Sequence, residues 1–309
     1  MKSPYQIQRR QLLSGAACGI AASWLPGKLM ATPAALHTRP IPKSGEAIPI
    51  IGMGSWITLN VGDDPELRAD RLKVVQAFFD EGGRMIDSSP MYGSSEEVIG
   101  WCMARIPARE RLFATTKVWT PTRWLGEKQM EKSFALWGVD RFDLMQIHNL
   151  LDWDAHLETL LEWKAAGRIR YIGVTTSHGR RHDDLADIME TQPIDFVQFT
   201  YNVQDRAAEA RLLPLAAERG IAVIINRPFR GGDLFNRVER QPLPPWAAEI
   251  GCANWAQFFL KFVVSHPTVT CAIPATSKVH HLLENMAAGR GTLPDSAMRA
   301  RMLRHLEIL

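Results

Sequence analysis

Four residues in the first half of the chain carry side chains that together can move a proton to or from a polar substrate: Asp87, Tyr92, Lys117 and His148. A phenol with an ordinary pKa near 10 is a poor donor at neutral pH, but a neighbouring ammonium favours the phenolate and lowers that value. A carboxylate beside the lysine can hold it in place, and an imidazole can hydrogen-bond a substrate oxygen. The set works only if the fold gathers it. Asp87, Lys117 and His148 each close an apolar, strand-like run, and Tyr92 lies in the loop after Asp87. Tyrosine is scarce: besides Tyr92 there are only Tyr5, Tyr171 and Tyr201.

The elements that must position these residues recur at a regular interval. Strand-like runs cover Ile48–Ile51, Arg84–Asp87, Leu112–Lys117, Phe142–His148, Ile169–Val174, Asp195–Phe199, Ile221–Ile225 and Val269–Ile273. A short strand and turn over Pro40–Glu46 feeds the first of them. The runs alternate little, as strands covered on both faces require. Helical segments separate them: Asp64-Pro65-Glu66 opens one that stops at Gly82-Gly83, and another carries Leu157, Leu160 and Leu161 and stops at Gly167. Eight strand-then-helix units predict an α/β (β/α)8 TIM barrel, one domain over residues 38–309, with polar strand ends facing its C-terminal mouth. A doubly wound nucleotide-binding sheet is disfavoured, because no strand leads into a Gly-x-Gly-x-x-Gly turn. Trp56, Trp119, Trp124 and Trp153 fall in or after strand-to-helix loops, where they suit an apolar entrance.

The chain has 309 residues, 46% apolar and 22% charged, in the range of globular proteins. Its net charge of +3 is unevenly spread: the first 31 residues hold Lys2, Arg9, Arg10 and Lys28 and no acid, and removing those four cations leaves −1. Nothing in that balance suits a nucleic-acid-binding surface. The cationic start, a short apolar stretch from Leu12 to about Leu25 and the small residues after it have the layout of a signal peptide over residues 1–35. Arg9-Arg10 before Leu12-Leu13 resembles a twin-arginine signal, which implies a partner in the export machinery and a periplasmic destination. The apolar stretch is too short to span a bilayer, so no stable membrane insertion is expected. Cys18 lies in the leader; Cys102, Cys252 and Cys271 have no metal-ligand spacing, and neither a metal nor a disulfide is expected.

Gly52-Met53-Gly54-Ser55-Trp56, Asp87-Ser88-Ser89-Pro90-Met91-Tyr92-Gly93, Thr116-Lys117 and Gln146-Ile147-His148-Asn149, in that order, resemble the aldo/keto reductase family. The resemblance implies a barrel that binds NADP(H), with NAD(H) the alternative, and passes hydride between the nicotinamide and a small aldehyde or ketone, or the corresponding alcohol. It implies Tyr92 as general acid, Lys117 and Asp87 tuning it, and His148 orienting substrate. Gly54, Trp56, Thr175, Thr176, Gln198, Asn226, Arg227, Phe229, Gly232, Thr276, Ser277, Lys278, His281, Glu284 and Asn285 stand at the family's cofactor positions. Gln198 matches the residue that holds the nicotinamide carboxamide, and Thr276, Ser277 and Lys278 suit a ribose 2′-phosphate. Several positions depart from the pattern: Thr176 replaces an Asn, Asn226 replaces the aromatic that stacks on the nicotinamide, Arg227 replaces a Ser, and His281 stands where many relatives have Arg. These departures leave a second implied role open, a nucleotide-bound sensor or partner-binding module that does not turn over. Beyond the barrel only Thr292–Leu309 remain, so a more open pocket than in relatives with longer C-terminal segments is expected.

Overall fold

The computed structural model describes residues 34–107 and 109–309; the leader and its cleavage site lie outside the described residues. Two short antiparallel strands come first, β1 (Thr38–Pro40) and β2 (Ala47–Pro49). The barrel follows: β3 (Met53–Gly54), α1 (Pro65–Asp80), β4 (Met85–Asp87), α2 (Ser95–Met103), β5 (Phe113–Val118), α3 (Arg123–Trp137), β6 (Phe142–Ile147), α4 (Trp153–Ala165), β7 (Ile169–Thr175), α5 (His182–Thr191) and β8 (Phe196–Thr200). It continues with α6 (Leu212–Arg219), β9 (Ala222–Asn226), α7 (Asp233–Val238), α8 (Trp255–Val264), β10 (Val269–Ala272), α9 (Val279–Ala287) and α10 (Ser296–Glu307).

Strands β3 to β10 lie side by side in chain order, all parallel. The ring closes through parallel bridges Ile51↔Ala272 and Gly54↔Ala275. Closure explains why position 54 is glycine: a Cβ there would stand 2.7 Å from the carbonyl oxygen of Ile273. The architecture is the expected eight-stranded barrel, with one correction at its start. Ile48 and Pro49 belong to the hairpin, where Ile48 pairs with Arg39, and the first barrel strand begins beyond them. Proline has no N–H to give a ladder, which suits Pro49 to the end of a two-stranded edge.

Side chains alternate in and out along each strand, and the inward set changes polarity from bottom to top. Met85, Phe113, Leu144, Tyr171, Phe196, Ile224 and Cys271 form an apolar plug, sealed below by Ile41 and Ile48 of the hairpin. One pleat higher on the same faces come Asp87, Thr115, Gln146 and Gln198, and Lys117 follows one pleat above Thr115, all buried. A larger core lies outside the ring, between strands and helices. Helix starts are fixed locally: Asp64 caps α1 by accepting from the amides of Glu66 and Leu67 at 3.0 and 2.9 Å, and Asn254 caps α8 through Gln257 at 2.9 Å.

Candidate active site

Asp87 ends β4 and Lys117 lies near the end of β5, so parallel pairing sets their side chains together inside the barrel. Lys117 Nζ donates to Asp87 Oδ2 at 2.5 Å and to the Ser88 carbonyl at 2.8 Å. Both groups are buried. Burial works against the Lys117 ammonium, yet the charge and hydrogen bond of Asp87, with Tyr92 beside it, leave its pKa above the ordinary value. The other carboxylate oxygen, Asp87 Oδ1, accepts from Gln146 Nε2 and Gln198 Nε2, each at 3.0 Å. The Asp87 carboxyl thus accepts from three buried donors, one on Oδ2 and two on Oδ1, the kind of satisfaction that makes a buried ion pair tolerable. Gly173 makes room for one of those donors, because a Cβ there would come within 2.9 Å of Gln146 Cγ.

Tyr92 stands over this pair: Lys117 Nζ is 5.2 Å from its ring centroid. Burial pushes the phenol pKa up, and the opposing pull of Lys117 does not reverse it. The lowering expected from the ammonium alone is therefore corrected: desolvation of the phenolate outweighs attraction. Tyr92 is held protonated, in the form that can give a proton. His148 follows β6 directly, its ring edge-on to Tyr92 with centroids 5.7 Å apart. Burial, with the Lys117 charge, pushes His148 down to about 3, so the imidazole is neutral. Its Nδ1 lies 2.9 Å from Ser89 Oγ, which accepts from the Met91 amide at 3.2 Å. The Ser89 hydroxyl keeps its proton and a second lone pair, so it can pair with either tautomer; when it donates to Nδ1, the proton of the neutral ring is on Nε2, facing away from Ser89.

These groups floor a cavity of about 410 Å³ at the C-terminal mouth of the barrel. Asp87, Tyr92 and His148 line it, and Lys117 lies fully buried behind them. Of the predicted cofactor residues, Gly54, Trp56, Thr175, Thr176, Gln198, Asn226, Arg227, Phe229 and Gly232 line the same cavity. Thr276, Ser277, Lys278, His281, Glu284 and Asn285 do not; they follow its last wall residue, Ala275, into the start of α9, where Lys278 and His281 are exposed. Arg230 is taken up by Gln204, at 2.5 Å, and Asp205, at 3.6 Å, whereas Arg227 lines the cavity. Trp153 is half-buried against the outer core rather than at an entrance.

Two of the departures from the family pattern, Asn226 and Thr176, meet in space. Asn226 Nδ2 donates to the Thr176 carbonyl at 2.9 Å, and Thr200 Oγ1 donates to Asn226 Oδ1 at 2.7 Å. Thr176 Oγ1 is buried on the cavity wall without a hydrogen-bond partner. Gln198 commits its Nε2 to Asp87, so its Oε1 faces Asn226 at 3.4 Å.

The family model for the aldo/keto reductase family matches residues 50–301. The chain belongs to the aldo/keto reductase family. Methylglyoxal reductase YeaE of Escherichia coli is 26% identical over 249 residues, covering 78% of this chain and 85% of that one. Glyoxal reductase of Bacillus subtilis is 28% identical over 253 residues, covering 78% and 83%. The fold is shared with an aldo-keto reductase from Klebsiella pneumoniae crystallised in complex with NADPH, at TM-score 0.71 and 23% identity, covering 88% and 95%. As a member of an oxidoreductase family that acts on carbonyl compounds, this aldo/keto reductase has its buried ion pair and tyrosine beneath an open cavity. Sequence reasoning missed Gln146 and Ser89 as parts of the site. Gln146 was legible by alternation, two residues before His148 on the same inward face. Ser89 carried no such signal.

Proposed function

We propose that this aldo/keto reductase is an NADP(H)-dependent enzyme that reduces an aldehyde or ketone, with Tyr92 as the proton donor. The observation that carries the reading is the meeting of Tyr92, the Asp87–Lys117 pair and a neutral His148 at the base of one cavity. The walls suit a nicotinamide nucleotide: the orphaned Thr176 hydroxyl can donate, and Gln198 Oε1, which accepts only from Asn226 at 3.4 Å, has a second lone pair to accept with, which complements a primary carboxamide. Arg227 on the cavity wall and Lys278 at the start of α9 supply cations for phosphate groups. The Klebsiella relative holds NADPH, which supports the phosphorylated form.

When bound, the nucleotide supplies the hydride. His148 Nε2–H and the Tyr92 hydroxyl orient the carbonyl oxygen, and Tyr92 gives that oxygen its proton. Lys117 lies beside the phenolate that results and stabilises it, while Asp87 keeps the ammonium charged and fixed. The neutral His148 adds a hydrogen bond without a charge that would repel Lys117. Tyr92→Phe tests the assignment: turnover with methylglyoxal or propanal is expected to fall at least about a thousandfold, the combined scale of a proton donor and an oriented hydrogen bond. NADPH affinity is expected to stay within about twofold. Full activity of the variant would overturn the assignment.

The leader supports a further part of the reading, export by the twin-arginine route to the periplasm, with nucleotide taken up before export. Recovery of nucleotide-free protein from the periplasm would refute the loading step.

A further inference from the structure

Tyr92 differs from the other members of the site in what carries it. Asp87, Lys117 and His148 lie on barrel strands or directly after one, whereas Tyr92 stands in the connection between β4 and α2. A proton donor must be held close to its productive position, because a displacement of about 1 Å can cost a hundredfold in rate. The backbone supplies part of that hold: the Tyr92 amide donates to the Ser89 carbonyl at 2.9 Å, and the Tyr92 carbonyl accepts from the Ser95 amide at 3.2 Å. Both bonds are internal to the turn and leave its place over the barrel open.

The remaining hold comes from the neighbouring connection, between β3 and α1. Asn60 Oδ1 accepts from the Ser94 amide at 2.9 Å and from the Ser94 hydroxyl at 3.0 Å. Ser94 Oγ in turn accepts from the Gly62 amide at 2.8 Å. Ser94 stands directly before α2, where a serine side chain ordinarily caps the helix, yet it makes no capping bond. Its hydroxyl is committed to the clasp instead. Gly93 has φ 61°, and a Cβ there would lie 2.3 Å from Asn60 Oδ1 and 2.6 Å from its Cγ, so the amide packs against the backbone next to Tyr92. At the other end of the turn, Ser55 Oγ donates to Ser88 Oγ at 2.8 Å, and the Ser55 carbonyl accepts from Ser95 Oγ at 3.3 Å. The connection that bears Asn60 is itself anchored to α1, with Arg71 Nε on the Thr58 carbonyl at 2.7 Å and Arg68 Nε on the Gly62 carbonyl at 2.6 Å, and Leu59 is buried.

We propose that Asn60 is a positioning residue for the proton donor: by holding Ser94 and packing on Gly93, its side-chain oxygen fixes the turn that carries Tyr92 and so sets where the phenol stands relative to Lys117 and to the substrate oxygen. The inference rests on the reductase reading and adds to it a residue that touches none of the reacting groups. Only the oxygen of the Asn60 amide is used in the two bonds to Ser94, so what the turn needs at this position is an acceptor of this size.

The test compares Asn60→Leu, which keeps the volume and removes the acceptor, with Asn60→Asp, which keeps both. With NADPH and methylglyoxal, Asn60→Leu should lower kcat about thirtyfold through misplacement of the donor, with KM and NADPH affinity within about threefold of wild type. Asn60→Asp should recover most of that kcat, and Ser94→Ala, which removes one of the two donors, should lose about fivefold. The urea midpoint should shift little in all three, because Asn60, Gly62 and Gly93 are exposed and water can replace the lost bonds. Phenolate absorbance of the nucleotide-free protein, taken as the difference from Tyr92→Phe, gives a readout without turnover. Burial holds the Tyr92 phenol above its ordinary value, with Lys117 and Asp87 beneath it and the neutral His148 beside it. A released turn wets the ring, so the Tyr92 titration in Asn60→Leu should move down toward the ordinary value near 10. Wild-type kcat or an unmoved titration in Asn60→Leu would overturn the proposal, as would equal losses in Asn60→Asp and Asn60→Leu. A loss carried by NADPH affinity with kcat intact would also overturn it, making the connection a nucleotide contact only. A wild-type protein that reduces no carbonyl, with the titration moved in Asn60→Leu, would overturn the reductase reading and leave Asn60 as the residue that fixes Tyr92.

Discussion

Replacing Lys117 by Met tests the buried ion pair at the centre of the site. The substitution keeps an unbranched side chain of similar length and removes the ammonium from Asp87 Oδ2 and from the Ser88 carbonyl. Asp87 is 2% exposed, and its two remaining donors, Gln146 and Gln198, both address Oδ1. Oδ2 is left charged and unpaired, and loss of one partner of a buried pair costs about 3–5 kcal/mol. Urea unfolding followed by far-ultraviolet circular dichroism, with an unchanged m-value, measures that loss. Adding Asp87→Asn removes the stranded charge, and the double variant should recover at least about 2 kcal/mol relative to Lys117→Met alone. Turnover should recover nothing, because Tyr92 still lacks the ammonium that stabilises its phenolate. A double variant no more stable than the single one, or a single variant within about 1 kcal/mol of wild type, would refute the claim that Asp87 is charged and satisfied chiefly by Lys117.

Other consequences can be read with the same instruments. Thr176→Val replaces an unpartnered buried hydroxyl by an isosteric methyl, so the nucleotide-free protein should lose no stability in thermal denaturation, while NADPH affinity should fall about fivefold to tenfold by titration calorimetry. Gly173→Ala drives a Cβ against Gln146 Cγ and should cost about 1–3 kcal/mol in urea unfolding, with a lower kcat as Gln146 shifts on Asp87. His148 is neutral in the folded protein down to about pH 3, whereas an unfolded histidine binds a proton near 6.5. The unfolded state therefore holds more protons in that window, and stability falls as pH drops from about 6.5 toward 3, by up to about 5 kcal/mol from this residue. His148→Gln should flatten that part of the stability profile. Since burial keeps the Tyr92 phenol protonated, reduction should be level through neutral pH, and alcohol oxidation, which needs the phenolate, should rise only in alkaline buffer.

Most of the scaffold was legible because a parallel barrel strand is apolar on both faces, so its run stands out and its last residue marks the mouth. Gln198 came from the family resemblance, whereas that rule alone placed Asp87, Lys117 and His148 at the mouth ends of their strands without any knowledge of packing. It failed at Ile48–Pro49, where an apolar pair of the same appearance plugs the barrel floor from a hairpin. Composition cannot separate the two uses, because both bury the side chain. The direction of the Tyr92 shift was also beyond reach of the sequence: the sign depends on how fully the ring is desolvated, a property of the loop packed around it. Trp153 and Trp119 have similar positions after strands, yet one packs inward and the other is clamped outward by Gln129, a contact ten residues away that no local pattern announces.

Asn226 shows how a departure from a family pattern can be absorbed. An aromatic ring at that position contributes stacking worth about 1 kcal/mol beyond burial. An amide contributes none of it, but here it ties its own strand β9 to β8 through Thr200 and to the residue just after β7 through the Thr176 carbonyl, on the cavity wall. The same amide faces Gln198 Oε1, and the other end of Gln198 is on Asp87. Asn226 therefore connects the expected carboxamide position to the carboxylate that holds Lys117. Asn226→Ala should loosen both: a several-fold loss in NADPH affinity together with a lower kcat. Asn226→Phe restores a ring face but breaks the same ties, and should regain affinity without regaining kcat. If the Phe variant matched wild type in both constants, the amide would be a passive replacement, and the connection through Gln198 would carry no functional weight.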